Sequence, residues 1–280
     1  MKRLLAFLLI VIIASVQSAM AAEQPIRFGP FDSGWYPDDT YAVYLSGAHK
    51  ASPTVDMNMG VFILAAVQEV DKVPIYAHLM LSTADIEVEG VGRTSGAGDM
   101  QFVLMPRILF WGSGHLNLGV GVEAPTGSYN KNSYLNIGAN RWAFSPRLAV
   151  AQGVGRFYFE LWGGYDFYTD NKDYLYYTAK TDLEKDGDAF AELHISFKVE
   201  DDGNSIITLS LGGIWGGEES AETFGAAHKV RDKMADYAAK ATLKTDITNT
   251  FSIFISYTYD LYVENGEKGY TGAVKLAKLF

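Results

Sequence analysis

Imidazole, carboxylate and hydroxyl groups could all do chemistry in this chain, and their spacing decides which kind. The five histidines are His49, His78, His115, His194 and His228. No two stand three or four residues apart and there is no cysteine, so the ligand spacings of zinc sites are missing and neither a metal nor another cofactor is expected. A nucleophilic serine needs a base within hydrogen-bond reach, and no serine here has such a partner by spacing. Gly96-x-Gly98-Asp99 could suggest a phosphate loop, but it lacks the third glycine and precedes a strand pattern instead of a helix. It reads as the backbone geometry of a loop entering a strand.

The polar groups fall instead on one side of alternating segments. Leu116, Leu118, Val120 and Val122 alternate with Asn117, Gly119, Gly121 and Glu123. After a polar loop, Trp142, Phe144, Pro146, Leu148 and Val150 alternate with Ala143, Ser145, Arg147 and Ala149. A period of two means strand, and about ten residues with one greasy face is the length of a tilted membrane-crossing strand.

The same pattern recurs over Thr40–Gly47, Thr54–Ala66, Lys72–Ser82, Asp99–Trp111, Arg156–Tyr168, Ala189–Val199, Ser205–Trp215, Asp236–Asp246, Thr250–Tyr262 and Tyr270–Phe280. With the first pair this makes about twelve strands, and the fold class expected is all-β, a single transmembrane antiparallel barrel with an even strand number. The tenth strand is ambiguous, because Val230, Met234, Tyr237 and Ala241 fall at helical spacing. A short helix in the loop before it would absorb that signal.

Connections alternate between short ones, such as Gly112–Gly114 and Gln152–Gly155, and long ones at Ser82–Gly98, Pro125–Asn140, Asp170–Asp188 and Gly216–Lys233. Periplasmic turns and extracellular loops of such barrels alternate in that way. The register turns Asp56, Asn58, His78, Gln101, Arg107, His115, Asn117, Glu123, Arg147, Glu160, Glu192, His194 and Lys198 inward, together with Lys240 and Lys244. Either these groups satisfy one another or some of them line a conduit or ligand site. Twelve strands leave an interior between nearly filled and narrowly open.

Met-Lys-Arg, an apolar run from Leu4 to Val16 and Ala19-Met20-Ala21 form a secretory signal peptide over residues 1–22. The run is shorter than the roughly 20 residues of a helical span. Residues 23–39 contain three prolines, which exclude an interior strand. They are a periplasmic segment, or Phe28, Phe31, Trp35 and Tyr36 fold into the barrel mouth. Residues 40–280 are the barrel. The formal charge is −10, which gives no basis for nucleic-acid binding through phosphate neutralisation.

Three ordered blocks carry a family resemblance: Gly96-x-Gly98-Asp99, Pro125-Thr126-Gly127-x-Tyr129, and Asn136-Ile137-Gly138-x-Asn140-Arg141-Trp142-x-Phe144-x-Pro146. The chain resembles outer-membrane β-barrel proteins labelled with the meta-pathway of phenol degradation, or as transporters. The likeness is densest from Gly96 to Pro146 and looser to Phe280. It implies an outer-membrane channel of a Gram-negative bacterium, in contact with lipid and lipopolysaccharide, passing small hydrophobic or aromatic solutes such as phenols. Phe280 at the end of an alternating strand resembles the signal read by the barrel-assembly machinery, although Lys278 departs from it. A structural or adhesive barrel, and less readily a lipase-type enzyme, are the other function classes.

Overall fold

The computed structural model describes residues 40–280 except 134, 177–178, 201–203, 224–225 and 265–266. The expected signal peptide and segment 23–39 lie outside the described residues. The strands are β1 (Thr40–Ala51), β2 (Val55–Val70), β3 (Val73–Val88), β4 (Gly92–Ala97), β5 (Met100–Trp111), β6 (Gly114–Ala124), β7 (Ala143–Val154), β8 (Phe157–Tyr168), β9 (Asn171–Tyr176), β10 (Ala179–Lys185), β11 (Asp188–Lys198), β12 (Ser205–Gly216), β13 (Glu219–Thr223), β14 (Ala226–Arg231), β15 (Met234–Thr248), β16 (Phe251–Val263) and β17 (Tyr270–Leu279). Among the described residues there is no helix.

Twelve of these strands close into one antiparallel barrel, in the order β1-β2-β3-β5-β6-β7-β8-β11-β12-β15-β16-β17 and back to β1. The seam between β17 and β1 is fully paired from Ala42↔Leu279 to Ala51↔Tyr270, and the Phe280 amide donates to the Tyr41 carbonyl at 2.9 Å. A spanning sheet must close like this, because hydrocarbon offers no partner to an open edge. The turn between β2 and β3 is two residues, Asp71 and Lys72, with φ of 50° and 68°. Positive φ at both positions gives the hairpin a twist matching that of its strands.

The alternation expected for β7 is plain. Ala143, Ser145, Arg147, Ala149 and Ala151 are buried, while Phe144 and Leu148 are exposed at 46% and 44%. Directly paired residues share a face, so the register carries this assignment round the ring. Gly119↔Arg147↔Gly164, Ala149↔Trp162↔Glu192 and Glu160↔His194↔Ser210 all point inward. Outward-facing Trp142 and Phe144 stack at 6.2 Å, and Phe157 packs on Phe197 at 5.0 Å. Such aromatics suit the interfacial girdles of a spanning barrel.

The structure corrects three expectations. Among its described residues, the connection before β15 contains β13 and β14 and no helix. The helical spacing from Val230 to Ala241 therefore had no structural meaning, and Met234–Thr248 is a strand throughout. The long connections are not bare loops. β3 continues to Val88 and returns as β4, while β9, β10, β13 and β14 join into a second, four-stranded sheet. Finally, Asp56 and Asn58 are on the outer face. Met57 pairs with Lys50 and both are buried, whereas Asp56 and Asn58 are exposed. Alternation could not orient β2, because Val61, Ile63 and Ala65 on one face and Phe62, Leu64 and Ala66 on the other are all apolar.

Two measurements check this architecture. A charge at the midplane of the lipid face costs about 2–4 kcal/mol, so Leu118→Arg should impair folding into lipid vesicles by about that much, and Asn117→Arg far less. Single cysteines replacing exposed Asn132 and Glu184, at the long-connection end, should react with an impermeant thiol reagent on intact cells. A cysteine replacing Asn249, in the turn before β16, should not; the reverse labelling would invert the topology.

Candidate functional site: a latched cap over an asymmetric lumen

At the long-connection end, residues 125–142 fold down over the barrel, and their sequence explains how. Asp99, between β4 and β5, is 1% exposed. Its Oδ1 accepts the Gly127 amide at 2.8 Å and its Oδ2 the Ala139 amide at 2.5 Å. One carboxylate thus holds both ends of the loop. Beside it, Gly98, Gly127 and Gly138 meet backbone to backbone. A Cβ on Gly127 would lie 2.5 Å from the Gly98 carbonyl carbon and 2.8 Å from the Gly138 Cα, so no side chain fits there. At Gly96 a Cβ would lie 2.5 Å from the Ser128 Oγ, and the Ala97 amide donates to that same oxygen at 2.9 Å. Thr126 Oγ1 accepts the Met100 amide at 2.9 Å. Asn136 Oδ1 accepts the Asn130 amide.

The loop also inserts a plug. Ile137, 1% exposed, packs with Met57, Ala84 and Ile86 of β2 and β3. The second sheet is tied to the same loop. Asn171 at the start of β9 donates to the Ala139 carbonyl and to the Tyr129 hydroxyl, both at 3.0 Å, and accepts from Asn140 at 2.9 Å. Asn140 has a φ of 54°, a conformation asparagine tolerates better than most residues. Arg141 forms a buried ion pair with Glu219 of β13 at 2.6 Å, and its guanidinium lies 5.7 Å from the Tyr168 ring. Lys185 approaches that ring at 4.0 Å and pairs with Asp188 at 2.6 Å.

Below the cap the lumen has two unlike walls. Val55, Met57, Met59, Val61, Ile63, Ala65 and Val67, the inward residues of β2 above Glu69, are all apolar. Met80, Ala84 and Ile86 extend this wall onto β3. The polar residues expected to line the lumen begin beside this wall, with His78 paired to Ala65, and continue round the ring. Tyr76 shares a hydrogen bond of 2.8 Å with His78 Nδ1. Gln101 donates to Glu123 at 3.5 Å, and Asn117 to the Met105 carbonyl at 3.3 Å. Arg147 lies flat across Gly121, where a Cβ would come within 2.7 Å of its Nε, with the Phe190 ring 5.4 Å from its Cζ. Trp162 donates to Glu160 at 2.6 Å. His194 contacts Ser210 at 2.9 Å and Glu192 at 3.4 Å.

Arg107, His115 and Lys198 lie toward the short-turn end of their strands, where Lys244 pairs with Asp246 at 2.9 Å. Several inward aromatics were not anticipated. Tyr44 and Phe254 meet edge to face at 6.5 Å, and Lys275 sits 4.0 Å from the Phe254 ring. Asn171, Glu219 and Tyr168 were not anticipated either, since their partners lie far away in sequence. Ile137 did carry a signal, as an aliphatic residue, with Leu135, in a mostly polar loop. Among the described residues no acidic or histidine cluster could hold a metal ion.

The Asp99 latch has a testable pH signature. Burial pushes its carboxyl up to about 6, against the lowering effect of its backbone donors. A carboxyl that binds its proton more tightly folded than unfolded gives stability that is complete below the unfolded value, about 3.9, and lost as pH rises through 6. Protease resistance of the 125–142 loop should therefore fall between pH 5 and pH 7.5, relative to Asp99→Asn measured at each pH. Asp99→Ala leaves two amides without their acceptor, at about 1–3 kcal/mol each, and should expose the loop to cleavage at every pH.

Comparison with known proteins agrees with this architecture. The COG4313 outer membrane channel from Pseudomonas putida F1 superimposes with a TM-score of 0.81 at 23% identity, covering 90% of this chain and 99% of that one. The NanC porin gives 0.53 at 10% identity, over 84% of this chain and 98% of that one. The β domain of the Bordetella autotransporter BrkA gives 0.52 at 10%, over 87% and 100%. These likenesses concern the fold. No curated protein sequence matches the chain. The family model described as "Putative MetA-pathway of phenol degradation" matches residues 36–276, and the chain belongs to that family.

Proposed function

We propose that this protein is a passive outer-membrane channel for small apolar or aromatic solutes. The observation that carries the reading is the inner face of β2, apolar from Val55 to Val67, in a class of barrel whose interior is ordinarily polar. A continuous apolar wall offers a hydrocarbon or aromatic ring a path that water does not compete for strongly. Lipopolysaccharide hinders such solutes, so a barrel has something to add. The family description, which names phenol degradation, points the same way, as does the channel fold of the Pseudomonas protein.

The cap defines the entrance. Ile137 sits against Met57 and Ile86 at the top of the apolar wall, so a solute entering from that end displaces or skirts it. An enzyme of the lipase type has less support, because the inward histidines face the barrel interior instead of lipid. His194 bonds to Ser210 and Glu192 in the interior. The periplasmic exit, the assembly machinery's use of Phe280 and removal of residues 1–22 belong to the same reading of an exported, membrane-inserted chain.

The test is uptake of labelled toluene and phenol at limiting concentration by cells with and without the protein, alongside a small sugar and an amino acid. Faster entry of the aromatic solutes alone is expected. Acceleration of the polar solutes alone would make the protein a general porin. No change in any rate, with the barrel assembled, would end the channel reading.

A further inference from the structure

The open part of the lumen lies along one arc of the ring. Inward residues at mid-strand elsewhere are buried, as with Val103, Ser145, Glu160, Glu192 and Ser210. On β15, β16 and β17 they are half-exposed instead: Lys240, Thr242, Ser256, Thr258, Thr271 and Lys275. Pairing sets them in rows, with Lys240↔Thr258↔Thr271 above Thr242↔Ser256↔Ala273, and Lys275 beside Phe254 in the row below. A side chain that points into a closed barrel is exposed only to space inside it. That space therefore runs beside these residues.

Charge on this arc is sorted by exposure. On β15, β16, β17 and β1 the inward carboxylates stand toward the strand ends. Asp236 and Asp260 are at the long-connection end, the latter 3.5 Å from Lys50. Asp246 is at the other end, 2.9 Å from Lys244. Between them come Lys240, Lys275 and no carboxylate. Glu160 and Glu192 on the neighbouring wall are each 2% exposed, and they engage Trp162 at 2.6 Å and His194 at 3.4 Å. A solute in the open space thus meets ammonium and hydroxyl groups, while those two carboxylates are withdrawn from it. Lys275 lies 4.0 Å from the Phe254 ring and 5.0 Å from the Tyr44 ring. Ring faces hold an ammonium without cancelling its charge.

The apolar wall adjoins this arc through β1. Ala48 pairs with Ala273 on one side and with Met59 on the other, and Met59 is half-exposed too. Two strand spacings, about 10 Å, separate the β17 and β2 rows. A short acyl chain spans that distance.

We propose that this arc is a path for apolar molecules carrying one carboxylate, with Lys240 and Lys275 as successive stations. This adds a charged class of solute to the neutral ones of the channel reading above. The stations are four residues apart in register, about 13 Å along the strands, and the hydroxyls of Thr242, Ser256 and Thr258 fill the interval. A carboxylate only accepts hydrogen bonds, and ammonium and hydroxyl groups supply the donors. At Lys275 the tail extends past Ala48 to Met59, whose flexible thioether adapts to it. An alcohol of equal length forfeits the charge-assisted bonds, and acetate forfeits the tail.

The experiment is planar-bilayer recording of the purified full chain in a potassium chloride gradient, with hexanoate, acetate or hexanol added. Variants are Lys240→Gln/Lys275→Gln and Met59→Thr, each checked for assembly by heat-modifiable gel mobility. The natural chain should pass chloride over potassium by about threefold, as cationic pore linings do. Hexanoate should block the chloride current at a concentration about tenfold below acetate, the worth of about two buried methylene groups. Hexanol should not block. The lysine variant should bring the chloride preference close to one and weaken the hexanoate block about fivefold, as loss of one contact charge in water does. Met59→Thr should keep the chloride preference and narrow the gap between hexanoate and acetate. A silent or cation-selective natural chain overturns the proposal, as does hexanoate blocking no better than acetate, or an assembled lysine variant that behaves as the natural chain. If the double variant does not assemble, Lys240→Gln alone should still lower the chloride preference, and an unchanged preference there overturns the proposal equally. Uptake of toluene by cells is read separately, so each of these failures leaves the reading for neutral solutes standing.

Discussion

The structure depends on one constraint: within hydrocarbon, every amide and carbonyl must find a partner inside the protein. A sheet meets that demand only by closing on itself. The β1–β17 seam, with its ten paired positions from Ala42 to Ala51, makes the other eleven interfaces usable. Closure then fixes register, and register fixes which side chains see lipid. Pro146 in β7 has no amide to give, and the β7–β8 ladder skips from Phe144↔Phe167 to Arg147↔Gly164. The interruption is bridged on the inner side by a hydrogen bond from Ser145 to Asp166.

Closure leaves the interior free to differ from one side to the other. The ring is symmetric in its hydrogen bonds but not in its contents. β2 is greasy on both faces from Val61 to Ala66, while β11 and β12 are greasy outside and polar inside at mid-strand. Charges on the polar side are compensated locally, as in Lys244–Asp246 and His194–Glu192. Glycines 121 and 164 give the large inward side chains Arg147 and Phe190 room to lie flat.

Much of this was legible in the sequence. Ten-residue alternation with one apolar face located every barrel strand to within a few residues, because lipid tolerates no polar interruption there. β2 was located but turned inside out, since it is apolar on both faces from Val61 to Ala66 and its pairing with β1 and β3 settles the matter. The strands β9, β10, β13 and β14 left no pattern. Both faces of segments such as Asn171–Tyr176 and Ala179–Lys185 carry polar residues, and strands standing above the membrane need no greasy side. The latch was readable as a motif but not as a mechanism. Nothing local to Asp99 names Gly127 and Ala139 as its partners, and nothing near Arg141 names Glu219.

The contact among Gly98, Gly127 and Gly138 has a consequence for what such a motif can tell. Its residue types are dictated by backbone touching backbone and by one carboxylate gripping two amides. Ile137, beside Gly138, carries the contact of the same loop with the apolar wall. Apart from Ile137, the signature by which such chains are recognised thus records how the lid is fastened. On the channel reading, a change of solute would be written in the inward residues of β2 and β3 while the fastening of the lid stayed the same.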